Sequence, residues 1–239
     1  MRLFDPTRTG VSLIESLVSL AIFSFVILAA LGFFGTARAA FFRIRDSQTA
    51  SESATAALEK MRTDILQAGR GLLRPLRLNT VKGIETESGS MTLTSMEKES
   101  ALLAEAAAGA TTILVADAVG FISGKTVCLY DLQNAEVAKI VAVKGSSLTL
   151  ASPLASHYSQ AESRVLLLQK ISLYLETAKS ILRRKVNTSP AQPLLEEVEA
   201  FAYGYGSETC IAEIALALSA NPEKEYGIKV FPKNLALAK

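Results

Sequence analysis

Residues 16–37 contain no charged side chain in 22 positions, and Leu, Ile, Val, Phe and Ala dominate them. As a helix this run measures roughly 33 Å at 1.5 Å per residue, enough to cross a bilayer's hydrocarbon core. Beyond it the pattern turns from continuous to periodic. Phe41, Phe42 and Ile44 stay apolar. Then Ala54, Ala57, Leu58, Met61, Ile65 and Ala68 recur at three- and four-residue intervals, with Glu52, Glu59, Lys60, Arg62 and Asp64 between them. That is the spacing of an amphipathic helix with one packing face. Gly69 and Gly71 supply a stop. The patterns predict one long helix over 11–68, with 11–37 suited to a membrane and 38–70 to the surface of a globular domain.

The remainder, 71–239, reads as a β-rich head. Residues 79–100 are rich in Ser, Thr and Glu and read as loop, with one short strand near 91–95. β-Branched and alternating runs at 112–116, 126–130, 136–143 and 147–150, punctuated by Gly120, Gly124 and Gly145, predict a small barrel or sandwich inserted over about 105–168. Residues 165–176 read as a long strand, and 180–187 pair with it across 177–179. Further strands are expected at 201–205 and 211–219. Arg183, Arg184 and Lys185 read as a solvated strand face or edge protection. The fold class is α+β: a long N-terminal helix packed on a β-sheet head that carries an inserted β-module.

Composition excludes more than it identifies. A net charge of +2 gives no steering toward nucleic acid. One histidine and two cysteines leave little for a metal site. His157, beside Tyr158 in a Ser-rich stretch, has no acid–nucleophile constellation around it. Gly120 to Thr126 lacks the glycine spacing and the following helix of a phosphate loop. No catalytic residue, metal or cofactor is expected, so the chain reads as a non-enzyme. Cys128 and Cys210, 82 residues apart, are either a disulfide in an exported protein or two buried thiols.

One residue breaks the apolar pattern. Glu15 stands at its front edge, five residues after Gly10. A carboxylate in lipid costs about 2.5–3.5 kcal/mol on insertion scales, so it needs a partner. The stretch Arg8-Thr9-Gly10-Val11-Ser12-Leu13-Ile14-Glu15 and the apolar run after it resemble the class III signal of type IV prepilins. The resemblance implies a leader over 1–10, cut after Gly10 by a prepilin peptidase, with N-methylation of the new terminus at Val11. Glu15 becomes the fifth mature residue. The freed amine of Val11 is largely cationic at neutral pH. It is a fitting partner for Glu15 of the same chain or of an incoming subunit. Val11 replaces the more usual Phe or Met, and Gly32 stands where major pilins often carry Pro.

Met61 to Gly71 resembles the helix end of PilW-type minor pilins and J-type pseudopilins. Tyr174-Leu175-Glu176, Leu182-Arg183-Arg184 and Pro193-Leu194-Leu195-Glu196-Glu197-Val198 resemble the C-terminal sheet of the same proteins. The expected function is therefore that of a minor-pilin-like subunit initiating or capping a type IV pilus. The alternatives are a J-type minor pseudopilin of a type II secretion system and a non-polymerising membrane-anchored binding protein. The resemblance implies other pilins or pseudopilins and the prepilin peptidase as partners. It places the chain in the inner membrane as a single span with its head in the periplasm, then in the pilus or pseudopilus. Arg2 and Arg8 precede the span and Arg38, Arg43 and Arg45 follow it. Charge alone therefore does not orient it. A plain signal-anchor would also fit the run. Ala37-Arg38-Ala39 is a secretory-type cleavage pattern, but the apolar core is longer than the usual 7–15 residues.

Overall fold

A computed structural model describes residues 12–239 and divides the chain into two compact units, 1–49 and 50–239. One helix, α1 (Leu13–Gln67), begins in the first and ends in the second. It runs without a break through Gly32 and Gly35. Within the first unit no described side chain is buried. Two polar side chains in the apolar run bond back to the helix: the Ser24 hydroxyl donates to the Leu20 carbonyl at 2.8 Å and Thr36 to the Phe33 carbonyl at 2.9 Å. Such back-bonding pairs these two hydroxyls where water is absent.

The second unit is built on the amphipathic part of α1. Ala54, Ala57, Leu58, Met61, Ile65 and Ala68 are all buried in one core, the face that the periodicity predicts. Each of the larger ones contributes roughly 1.5–3 kcal/mol on leaving water. The helix stops because Gly69 takes φ +75° and Gly71 φ +72°, left-handed values that glycine adopts without strain. Gly69 N–H then donates to the Thr94 carbonyl at 2.8 Å, tying the helix end to a strand. A Cβ on Gly69 would lie 2.3 Å from Leu235 Cδ2. Leu235 belongs to α3 (Lys233–Ala236). Its neighbour Asn234 donates to the Leu66 and Ala68 carbonyls, so the C-terminal segment caps carbonyls the helix leaves unpaired. A short α2 (Leu73–Arg77) follows α1.

The strands are β1 (Ile84–Glu87), β2 (Ser90–Ala101), β3 (Thr112–Leu114), β4 (Thr126–Tyr130), β5 (Ala135–Lys144), β6 (Ser147–Leu150), β7 (Arg164–Glu176), β8 (Ile181–Val186), β9 (Gln192–Leu195), β10 (Val198–Gly206), β11 (Ile211–Leu218) and β12 (Asn221–Val230). All described pairs are antiparallel. β10, β11 and β12 form a three-stranded sheet and the others a nine-stranded one. β7 joins two structures. One of its edges pairs with β2 along nearly its full length. The other edge pairs with β4 through residues 164–168 and with β8 through 171–176.

Toward β8, side chains of β2, β7, β8 and β11 close over α1: Leu93, Leu173, Leu182 and Ile214 share its core. Toward β4, the order β2-β7-β4-β5-β6-β3 returns to the end of β2 through the Leu102–Val115 bridge. Ala116 N–H also donates to the Ala101 carbonyl at 2.9 Å. The inserted module is thus a small closed barrel around Ile113, Val127, Leu129, Ile140, Leu148 and Leu167. Closure removes the open edges that short strands would otherwise expose.

The strands depart from the sequence reading in two places. Residues 79–100 are not mainly loop, because they contain β1 and most of the twelve-residue β2. β2 is polar in composition but lies between β1 and β7, so ladder hydrogen bonds and buried Met91, Leu93, Thr94 and Ser95 override its weak strand propensity. β12, which no expectation covered, carries Pro222, Glu223, Lys224 and Glu225. Among the described residues it pairs only with β11, and an edge strand tolerates Pro and charge.

Candidate functional site

The strongest sequence signal maps to the start of α1. Gly10 and Val11, the expected cleavage and methylation positions, lie outside the described residues. Glu15 occupies the first turn of α1 and is exposed. There the unpaired N–H groups of the helix start favour a carboxylate. Behind it Leu17, Val18, Ile22, Phe25, Leu28 and Leu31 are all more than half exposed. Among the described residues α1 is the one helix long and apolar enough to cross a membrane. The arrangement is a carboxylate at the entrance of an apolar cylinder, a placement that costs free energy in lipid unless a cation offsets it.

The second cluster lies at the other end of the helix. Asp64 is 4% exposed and accepts two hydrogen bonds from Arg184, at 2.6 Å to Nε and 3.0 Å to Nη2. Lys60 Nζ stands 3.7 Å from the same carboxylate. The expectation of a solvated Arg183-Arg184-Lys185 face is corrected in part. Arg184 is drawn inward by Asp64, and Arg183 pairs with Glu176, whose carboxyl is held below its ordinary value by hydrogen bonds from Arg183 and then Lys179. Lys185 remains exposed. The bidentate fork fixes α1 against β8 and orients the helix end.

Cys128 and Cys210 are both free and buried. Cys128 lies in β4 and Cys210 precedes β11, in the other sheet. Burial, and secondarily the Glu136 carboxylate, pushes the Cys128 thiol up to about 12. That is the behaviour of an inert core thiol. His157 is exposed, 3.7 Å from the Glu105 carboxylate, while the adjacent Tyr158 is buried in the barrel. Gly124 leads into strand β4, and Lys125 is bonded to Glu97 and to the Gly120 carbonyl, an arrangement unlike a phosphate cradle. Among the described residues no group of three or more His, Cys, Asp or Glu side chains gathers as metal ligands would.

The outer face of the three-stranded sheet forms an open trough of about 480 Å³ that includes Ala202, Gly204, Ala215 and Gly227 between Glu213, Glu225 and Lys229. Sequence reasoning did not find it. The alternation of β11 marks Glu213 and Ala215 as outward, but the trough depends on the placement of the unpredicted β12.

No family model matches the chain, and no curated protein does. Among solved structures the chain is similar in part to phage tailspikes. One is the Gp54 tailspike of Acinetobacter baumannii bacteriophage AP22, in complex with A. baumannii capsular saccharide. It is 15% identical over 32% of this chain and 15% of that one, with a TM-score of 0.29. Another is the tailspike gp49 from Pseudomonas phage LKA1, 20% identical over 31% of this chain and 14% of that one, with a TM-score of 0.29. The Pseudomonas phage phi297 tailspike gp61 is 22% identical over 31% and 14%, with a TM-score of 0.27. The matched part thus spans about a seventh of the tailspike chains, and scores this low carry no functional argument.

Proposed function

We propose that this chain is a minor-pilin-like subunit of the PilW type, which initiates or caps a type IV pilus and assembles through its N-terminal helix. The observation that carries the reading is α1 itself. Its first part is an unburied apolar cylinder headed by Glu15, and its last part is the spine of a β-sheet core. The prepilin-like residues from Arg8 to Glu15 supply the chemistry. Cleavage after Gly10 frees an amine on Val11, and Glu15 of an incoming subunit neutralises such an amine where both charges are poorly solvated. The head sits in the periplasm before assembly. The partners are other pilins and the prepilin peptidase, and the protein is not an enzyme. A J-type minor pseudopilin is the second reading, because Met61 to Gly71 resembles both kinds of subunit.

The test is the mass of the N-terminal peptide of the chain isolated from its native membrane, together with the Glu15→Ala variant. An N-methylated start at Val11, with Glu15→Ala inserted in the membrane but absent from sheared filaments, is the expected result. An intact Met1 in cells that contain the peptidase, with normal filament output from Glu15→Ala, would leave a non-polymerising anchored protein in its place.

A further inference from the structure

The apolar run ends at Ala37, and the helix then presents three exposed arginines, Arg38, Arg43 and Arg45. No acidic residue lies between Glu15 and Asp46. Arg38, Phe42 and Arg45 are spaced i, i+4 and i+7, so they share one helix face. Both guanidinium groups lie against the same ring: the Arg38 guanidinium carbon is 5.4 Å and that of Arg45 5.0 Å from the Phe42 centroid. Phe41 meets Phe42 edge-on at 6.1 Å. The ring holds two planar cations in place. Arg45 also stands 3.4 Å from Asp46. That pair is exposed, contributes little, and leaves most of the guanidinium's five donors available.

We propose that Arg38 and Arg45, clamped on Phe42, form a binding site for the phosphate groups of anionic phospholipids at the membrane surface where the span ends. The inference rests on the reading that 16–37 spans a membrane, and not on pilus assembly. Two observations select a lipid phosphate. The site begins at the first residue after an uncharged membrane-length run, which places it at headgroup depth. Long cationic side chains reach that depth from the span. The planar fork of arginine matches a phosphate in a bidentate manner.

The full chain contains no tryptophan, so Phe42→Trp introduces a single tryptophan, excited apart from the tyrosines, that preserves the stacking. The experiment places this variant in vesicles of four parts phosphatidylcholine to one part phosphatidylglycerol, with bromine on the acyl chains of one lipid or the other. Each cation near an anionic surface enriches that lipid roughly fivefold. Quenching per mole by phosphatidylglycerol therefore exceeds that by phosphatidylcholine several-fold. The excess disappears in Arg38→Gln/Arg45→Gln and persists in Arg62→Gln.

Equal quenching by the two lipids, or an excess that survives loss of both arginines, overturns the site. So does an excess abolished by inorganic phosphate at constant ionic strength, which would assign the clamp to a free anion. Absence of lipid selection combined with loss of Arg38→Gln/Arg45→Gln from filaments would assign it to carboxylates of a neighbouring subunit. No quenching by either lipid would instead refute the membrane span. Native mass spectrometry of the unsubstituted chain gives a second reading. Retained phosphatidylglycerol in excess of phosphatidylcholine supports the site, and equal retention overturns it.

Discussion

Asp64 and Arg184 show how a single pair can fix the end of a helix. The carboxylate is almost fully buried, and its main partner comes from a strand 120 residues away. Arg184→Leu leaves that carboxylate with only Lys60 nearby and is expected to cost about 3 kcal/mol of stability. The paired change Asp64→Leu/Arg184→Leu recovers most of the loss, because it removes both charges at once. Urea unfolding of the detergent-solubilised chain measures both, and an additive double variant would refute the coupling. Cys128 makes a second prediction. Its folded thiol titrates near 12 against an ordinary 9.0 because it is buried. Above pH 9 the unfolded chain releases this proton while the folded chain keeps it. The stability attached to Cys128 is complete below pH 9 and falls between 9 and about 12, by at most about 1.4 kcal/mol per pH unit. Cys128→Ala is expected to flatten the fall between pH 8.5 and 10, and an unchanged slope in unfolding experiments would count against it.

At the scale of elements, the decisive feature is the sharing of β2 and β7 between two cores. Ladder pairs from Met91–Leu173 toward Met96–Leu168 serve the sheet on α1, and pairs from Lys98–Leu167 onward serve the barrel. A two-residue Asn-Gly turn can join Met96 to its partner Leu168 as a hairpin. A chain in which this turn replaces residues 97–167 is expected to keep a cooperative unfolding transition and to lose stability only through the cover of Leu72 and Val81. Loss of the transition in circular dichroism would show the barrel to be required for the sheet. The sequence located β4, β6 and β7 closely because their apolar runs are continuous or bounded by glycine turns. It missed β1, most of β2 and β12. Their side chains are mostly polar, and only pairing with distant strands makes them extended.

For the whole molecule, the first unit keeps its described apolar side chains exposed and the second closes cores of its own. Glu15→Ala is therefore expected to leave the unfolding free energy of the β-rich unit unchanged within about 0.3–0.5 kcal/mol, while abolishing the proposed assembly. A large change in that free energy would tie Glu15 to the stability of the head and remove the separation between anchoring and folding. The sequence by itself determined the features that each segment carries alone. These are the uncharged run and its length, Glu15 at its entrance, the buried face from Ala54 to Ala68, and the glycines that end α1. Such features follow from the period of one element, and neighbours in the chain are enough to express them. Tertiary structure alone decided that β7 divides between two partners, that Leu102 and Val115 close the barrel, that Arg184 turns inward to Asp64, and that Leu235 fills the space beside Gly69. Each of these depends on groups far apart in the sequence, and their pairing is set by which surfaces meet once the cores have formed.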